Sequence, residues 1–130
     1  MKKLVALFSL LAVLAIVPGC GTLDKSGPYA GNKVLYQSDL TLATAYDIID
    51  GFLVWEMNHR GKPECPKAVT DAADQMRVKA PTAFAAALSA RDVYARASNS
   101  ANQDALMTSL AALQGLVAIA NQYLIPTLNH

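Results

Sequence analysis

Between Ser38 and Pro126 apolar residues return every three or four positions, in three runs divided by short polar links that carry Gly or Pro. That spacing predicts three amphipathic helices. In the first run Leu42, Ala45, Tyr46, Ile49, Phe52 and Leu53 share a face, and Ile48 and Trp55 widen it. Ser38 suits an N-cap and Gly61 a stop, which gives a helix over about 39–60. The second run, Val69, Ala73, Met76, Ala80, Ala83, Ala87, Ala90 and Tyr94, keeps a 4-3 rhythm across Pro81. One helix over about 66–97, kinked near Pro81, is favoured over a break at Ala80, because two independent helices need not stay in phase. Pro66 suits its first turn. The third run is Leu106, Leu110, Leu113, Val117, Ala120 and Leu124. Ser100 with Gln103 matches a capping box and Pro126 a stop, for a helix over about 101–124. No segment alternates at period two. The expected fold is all-α, an antiparallel three-helix bundle over 38–126 with a short tail at 127–130.

The chain before the bundle has a different pattern. Met1-Lys2-Lys3 is basic, Leu4 to Val17 is apolar except for Ser9, and the chain turns polar after Cys20. A basic start, a short apolar run and small residues beyond it make a secretory signal over 1–19. About 14 apolar residues are too few to cross roughly 30 Å of hydrocarbon as a helix. Residues 20–37 contain Gly21, Gly27, Pro28 and Gly31 and read as a flexible tether. Tyr29, Val34, Leu35 and Tyr36 exceed what a spacer needs, so a place for this part against the bundle is one reading; Tyr29 and Tyr36 are also candidate partner contacts.

Val17-Pro18-Gly19-Cys20 resembles the lipobox of bacterial lipoproteins, with Pro18 its one departure. The resemblance covers residues 1–20 alone. It implies cleavage between Gly19 and Cys20, diacylglycerol on the Cys20 sulfur and an acyl chain on the new N-terminus. Two or three chains give stable anchoring where one gives only reversible binding. Gly21 in place of Asp after the cysteine points to the outer membrane, facing the periplasm, in a host with two membranes. In a host with one membrane the same anchor places the protein at the cell surface.

Composition narrows the function. Hydrophobic residues make up 53% of the chain, and its formal charge is +1. Loss of Lys2 and Lys3 with the signal leaves 9 basic side chains against 10 acidic ones. No cluster of four or more Lys/Arg occurs, so nucleic acid is a poor partner. With Cys20 lipidated, Cys65 has no partner in the chain. It is either a small residue at a helix start or a thiol for another chain. The alanines of the second helix allow close approach but leave a thin core, which favours a homodimer or a partner.

Candidate chemistry is sparse. There is no nucleophile elbow and no phosphate loop, so no catalytic residue is assigned and an enzyme is not expected. No cofactor is implied beyond the covalent lipid. Glu56, His59 and Cys65 near one helix end are a weak metal set, and no metal site is assigned. Asp47 with Asp50, and Asp71 with Asp74, read as solvated helix faces. Glu56 and Arg91 fall inside apolar arcs and need partners, because an unpaired buried charge is costly. Antiparallel packing puts Asp39 near Arg91 and Tyr123 near Glu56. Trp55 is read as core first and as a partner contact second. The expected role is a noncatalytic, lipid-anchored envelope protein acting through protein contacts, of the accessory or exclusion type. The alternative is a small-ligand or metal-binding lipoprotein with a pocket at Trp55, Glu56 and Tyr123.

Overall fold

The computed structural model describes residues 31–127. The expected signal segment 1–19, Gly19, Cys20 and Tyr29 lie outside the described residues, as does the chain after Thr127. Three helices follow one another: α1 Lys33–His59, α2 Lys67–Arg96 and α3 Ser100–Thr127. No strand occurs among the described residues. The bundle is all-α and its helices pack pairwise.

The α1–α2 register is antiparallel. Asp39 meets Arg91, Tyr46 meets Phe84, Glu56 meets Arg77 and Arg60 meets Asp74. On α1 the buried positions are Leu35, Ser38, Leu42, Ala45, Ile49, Phe52 and Glu56, a strict 3-4 alternation. On α2 they are Val69, Ala73, Met76, Ala80, Ala87 and Tyr94. On α3 they are Leu106, Leu110, Leu113, Leu116, Val117 and Ala120. The thin second layer is real: half of the six buried α2 residues are alanine. Phe52, Met76, Leu106 and Leu113 are the largest fully enclosed apolar side chains.

Four boundary details bear on the sequence expectation, three of them as corrections. First, α1 begins at Lys33, so Lys33 to Gln37 are helical and are not tether. Ser38 is no cap: it is buried, and its Oγ–H donates to the Val34 carbonyl at 2.6 Å. Leu35, buried one turn earlier, extends the apolar face and the helix with it. Second, α2 runs unbroken past Pro81, the single helix that the rhythm predicts. The ring sits on the exposed side and removes only the N–H that would reach the Arg77 carbonyl, while Met76, Ala80 and Ala87 hold the phase. Third, α3 is capped by Asn99 rather than by Ser100. Asn102 N–H donates to Asn99 Oδ1 at 2.9 Å, and Asn102 Nδ2 reaches back to the Ala97 carbonyl at 2.8 Å. Asn99→Ala is expected to lower the unfolding free energy by about 1 kcal/mol, read by urea denaturation. Fourth, α3 continues through Pro126 to Thr127.

The α1 stop is as expected. Gly61 has φ of +82°, which a glycine adopts without strain, and Lys62 N–H closes the turn on the His59 carbonyl at 3.0 Å. α3 carries no charged residue after Asp104. Its span Ser100–Leu124 has a mean hydropathy of 1.2, enough by length and composition to cross a membrane. Here its Leu stripe faces the other two helices.

Candidate functional site

The chemistry of the described chain gathers at the α1–α2 end of the bundle. Glu56 enters at a core position of α1, and its side chain is fully buried. Tyr123, its expected partner, does not reach it. Instead Tyr123 stacks on Phe52 with ring centroids 6.0 Å apart. Glu56 is held by two arginines. Arg77 Nη2 donates to Oε2 at 2.6 Å across the interface. Arg60 Nε, four residues on and just past the end of α1, lies 2.8 Å from Oε1 but off the line a hydrogen bond needs, so charge holds that oxygen.

Asp74 closes the group. Its Oδ1 accepts from Arg60 Nη2 at 2.6 Å and from Arg77 Nη1 at 3.0 Å. Two carboxylates and two guanidiniums therefore alternate around a ring of zero net charge. Only Glu56 is enclosed. The arginine side chains are 44% and 36% exposed and Asp74 is 54% exposed, so those three keep water contact. The hydrogen bond from Arg60 holds the Asp74 carboxyl below the usual aspartate range, and the charges of Arg60 and Arg77 add to it. The hydrogen bond to Asp74, then the contact with Glu56, raises Arg60 further above its already high value.

The sign for Asp74 is that of a depressed acid. Its contribution is complete above the ordinary aspartate value and is lost as pH falls through the lower folded one. Asp74→Asn is expected to flatten the slope of unfolding free energy against pH across that acid window. Denaturation series from neutral pH downward measure it.

At the other end Arg91 grips Asp39 as expected. Nε and Nη2 donate to the two carboxylate oxygens, both at 2.9 Å, a bidentate geometry. That pair raises the Arg91 pKa above its ordinary value, hydrogen bonding to Asp39 being the main cause. Arg91 is 26% exposed, so it is half-buried and not sealed in the core.

Trp55 is half-buried. Its indole lies against the His59 imidazole, centroids 4.6 Å apart and nearly parallel, and His59 Nδ1–H donates to the Trp55 carbonyl at 2.7 Å. Cys65 is a buried free thiol with Sγ 3.7 Å from Thr70 Oγ1. A disulfide to another chain would require the 60–66 loop to open. Tyr36 sits at the start of α1, 38% exposed.

Glu56, His59 and Cys65 thus take separate partners. Among the described residues no three His, Cys, Asp or Glu side chains are placed to hold one metal ion. Tyr123 lines a groove of about 290 Å³ between α2 and α3 with Asp71, Gln75, Lys79 and Ile119, and neither Glu56 nor Trp55 belongs to it.

Sequence reasoning missed Arg77 and the role of Arg60 and Asp74. The i, i+4 spacing of Glu56 and Arg60 was a usable signal. The Glu56–Arg77 pair had none, since it depends on interhelical register. Comparison with protein-family models, curated proteins and solved structures finds no match to this chain.

Proposed function

We propose that this is a noncatalytic, lipid-anchored helical protein of the bacterial envelope that works through protein contacts. The observation that carries the reading is the N-terminal run Leu4 to Val17 ending in Val17-Pro18-Gly19-Cys20. Acyl chains on Cys20 confine the bundle to a membrane plane, outer membrane or cell surface according to host, and raise its effective concentration against partners there. The bundle chemistry supports it: among the described residues the buried and half-buried charges are spent on the closed ring and the Asp39–Arg91 pair, and the others are exposed. The small-ligand reading would use the α2–α3 groove, whose volume of about 290 Å³ falls at the bottom of the usual ligand-pocket range of about 300–1,000 Å³.

Mass spectrometry of the mature N-terminus tests the anchor. The expected product begins at Cys20 with a thioether-linked diacylglycerol, and Cys20→Ser is expected to move the protein out of the membrane fraction. An unmodified Cys20, or cleavage elsewhere, refutes the reading.

A further inference from the structure

The outward face of α1 has a pattern the bundle does not use. Leu40, Ala43, Asp47, Asp50, Val54 and Met57 follow at 3-4-3-4-3, the spacing of a seam between two helices. All six are exposed, Leu40 at 41%, Val54 at 43% and Met57 at 64%. Apolar residues hold both ends of the seam and two carboxylates hold its centre.

Those carboxylates are the unbalanced charges of the helix. No Lys or Arg stands between Lys33 and Arg60. Asp39 is neutralised by Arg91, and Glu56 by Arg60 and Arg77. Asp47 and Asp50 make no ion pair and no side-chain hydrogen bond. Gly51 lies among them, between Asp47 and Val54 on the same face. A glycine inside a helix weakens it relative to alanine, and nothing lies within 4 Å of where its Cβ would stand, so this fold does not need the gap. The bare backbone at this point lets another helix approach the face closely.

We propose that the outer face of α1 receives an amphipathic helix of another protein, with apolar residues at both ends of its seam and a Lys/Arg pair at the centre. Charge selects this occupant. A second copy, parallel or antiparallel and in central register, would bring the four carboxylates of two Asp47–Asp50 pairs together. An anionic bilayer would be repelled by the same pair. The assignment rests on the protein-contact reading above and names its surface.

Photo-crosslinking in the full chain, in its own cells, tests it. A photoreactive residue is placed in turn at Leu40, Val54 and Met57, with Ala86 on α2 and Thr108 on α3 as controls. The expected result is one protein adduct at the three α1 positions, mapping to a helix with Lys/Arg at its centre. Asp47→Lys with Asp50→Lys is expected to cut adduct yield at least tenfold while leaving the melting curve in place, because neither carboxylate has a partner in the fold. Gly51→Leu, which blocks close approach, is expected to do the same. An adduct of twice the chain mass, a phospholipid adduct, or a yield indifferent to charge reversal overturns the proposal. Adducts at the control positions alone refute this face and leave the contact role standing. No adduct at any position refutes the role itself.

Discussion

Phe52→Ala is expected to lower the unfolding free energy by about 3–5 kcal/mol, the range for truncating an enclosed aromatic. Phe52 is fully buried in the C-terminal half of α1 and stacks on Tyr123 of α3, with ring centroids 6.0 Å apart. The cost of such a change depends on how far the surroundings collapse into the space left. Here they are poorly placed to do so. The buried face of α2 is Ala73, Ala80 and Ala87 beside Val69, Met76 and Tyr94, and an alanine has no side chain to swing inward. A domain of this size holds about 5–15 kcal/mol in total, so the variant should be near the edge of folding. Urea titration followed by circular dichroism measures it. A loss below about 1 kcal/mol would mean that the helices close over the gap and that the packing around Phe52 is soft.

The second large effect is an asymmetry within one ion pair. Arg77→Met is expected to cost about 2–4 kcal/mol, whereas Glu56→Met is expected to cost no more than about 1 kcal/mol. The two ends differ in what they leave behind. Removing Arg77 strands a fully buried carboxylate whose other contact, Arg60, is not aligned as a hydrogen bond. Removing Glu56 strands two guanidiniums that are 36% and 44% exposed and still share Asp74. They can turn to water, and the methionine fills an apolar position. The value for Arg77 is set below the full penalty of a sealed pair because its exposure lets water screen the charge. The Glu56→Met/Arg77→Met double variant is expected to recover most of the Arg77→Met loss. A double-mutant cycle of denaturation curves reads the coupling, and equal costs for the two single changes would show that burial of Glu56 does not govern the pair.

The parts of the molecule differ in how legible they were, and the reason is the range of the interaction. Period and phase are local. Leu106, Leu110, Leu113, Val117 and Ala120 lie on one face whatever surrounds the helix, and all five are buried. The same holds for α2 across Pro81. Helix starts are local too but degenerate, since neighbouring residues compete for the cap. Asn99 took the role assigned to Ser100 because its side chain reaches the Asn102 N–H while Asn102 reaches back. Ser38 lost its role because Leu35 found burial one turn earlier.

The site followed the same division. Asp39 with Arg91 could be read from antiparallel order alone, since both stand near matching ends. Glu56 could be recognised as a charge on an apolar face that needs a partner, but not which partner. Tyr123 and Arg77 are both brought to that end of the bundle by the topology. Interhelical register decides between them, and it is set by how the large side chains of α1 and α3 settle against the alanines of α2. The sequence by itself determined the three helices, their faces apart from Tyr46, which is 59% exposed, the turn at Gly61 and the Asp39–Arg91 pairing. Only the tertiary structure decided that Glu56 closes a ring with Arg60, Asp74 and Arg77, because that contact joins residues 21 apart on facing helices, where a shift of one position would have paired other side chains.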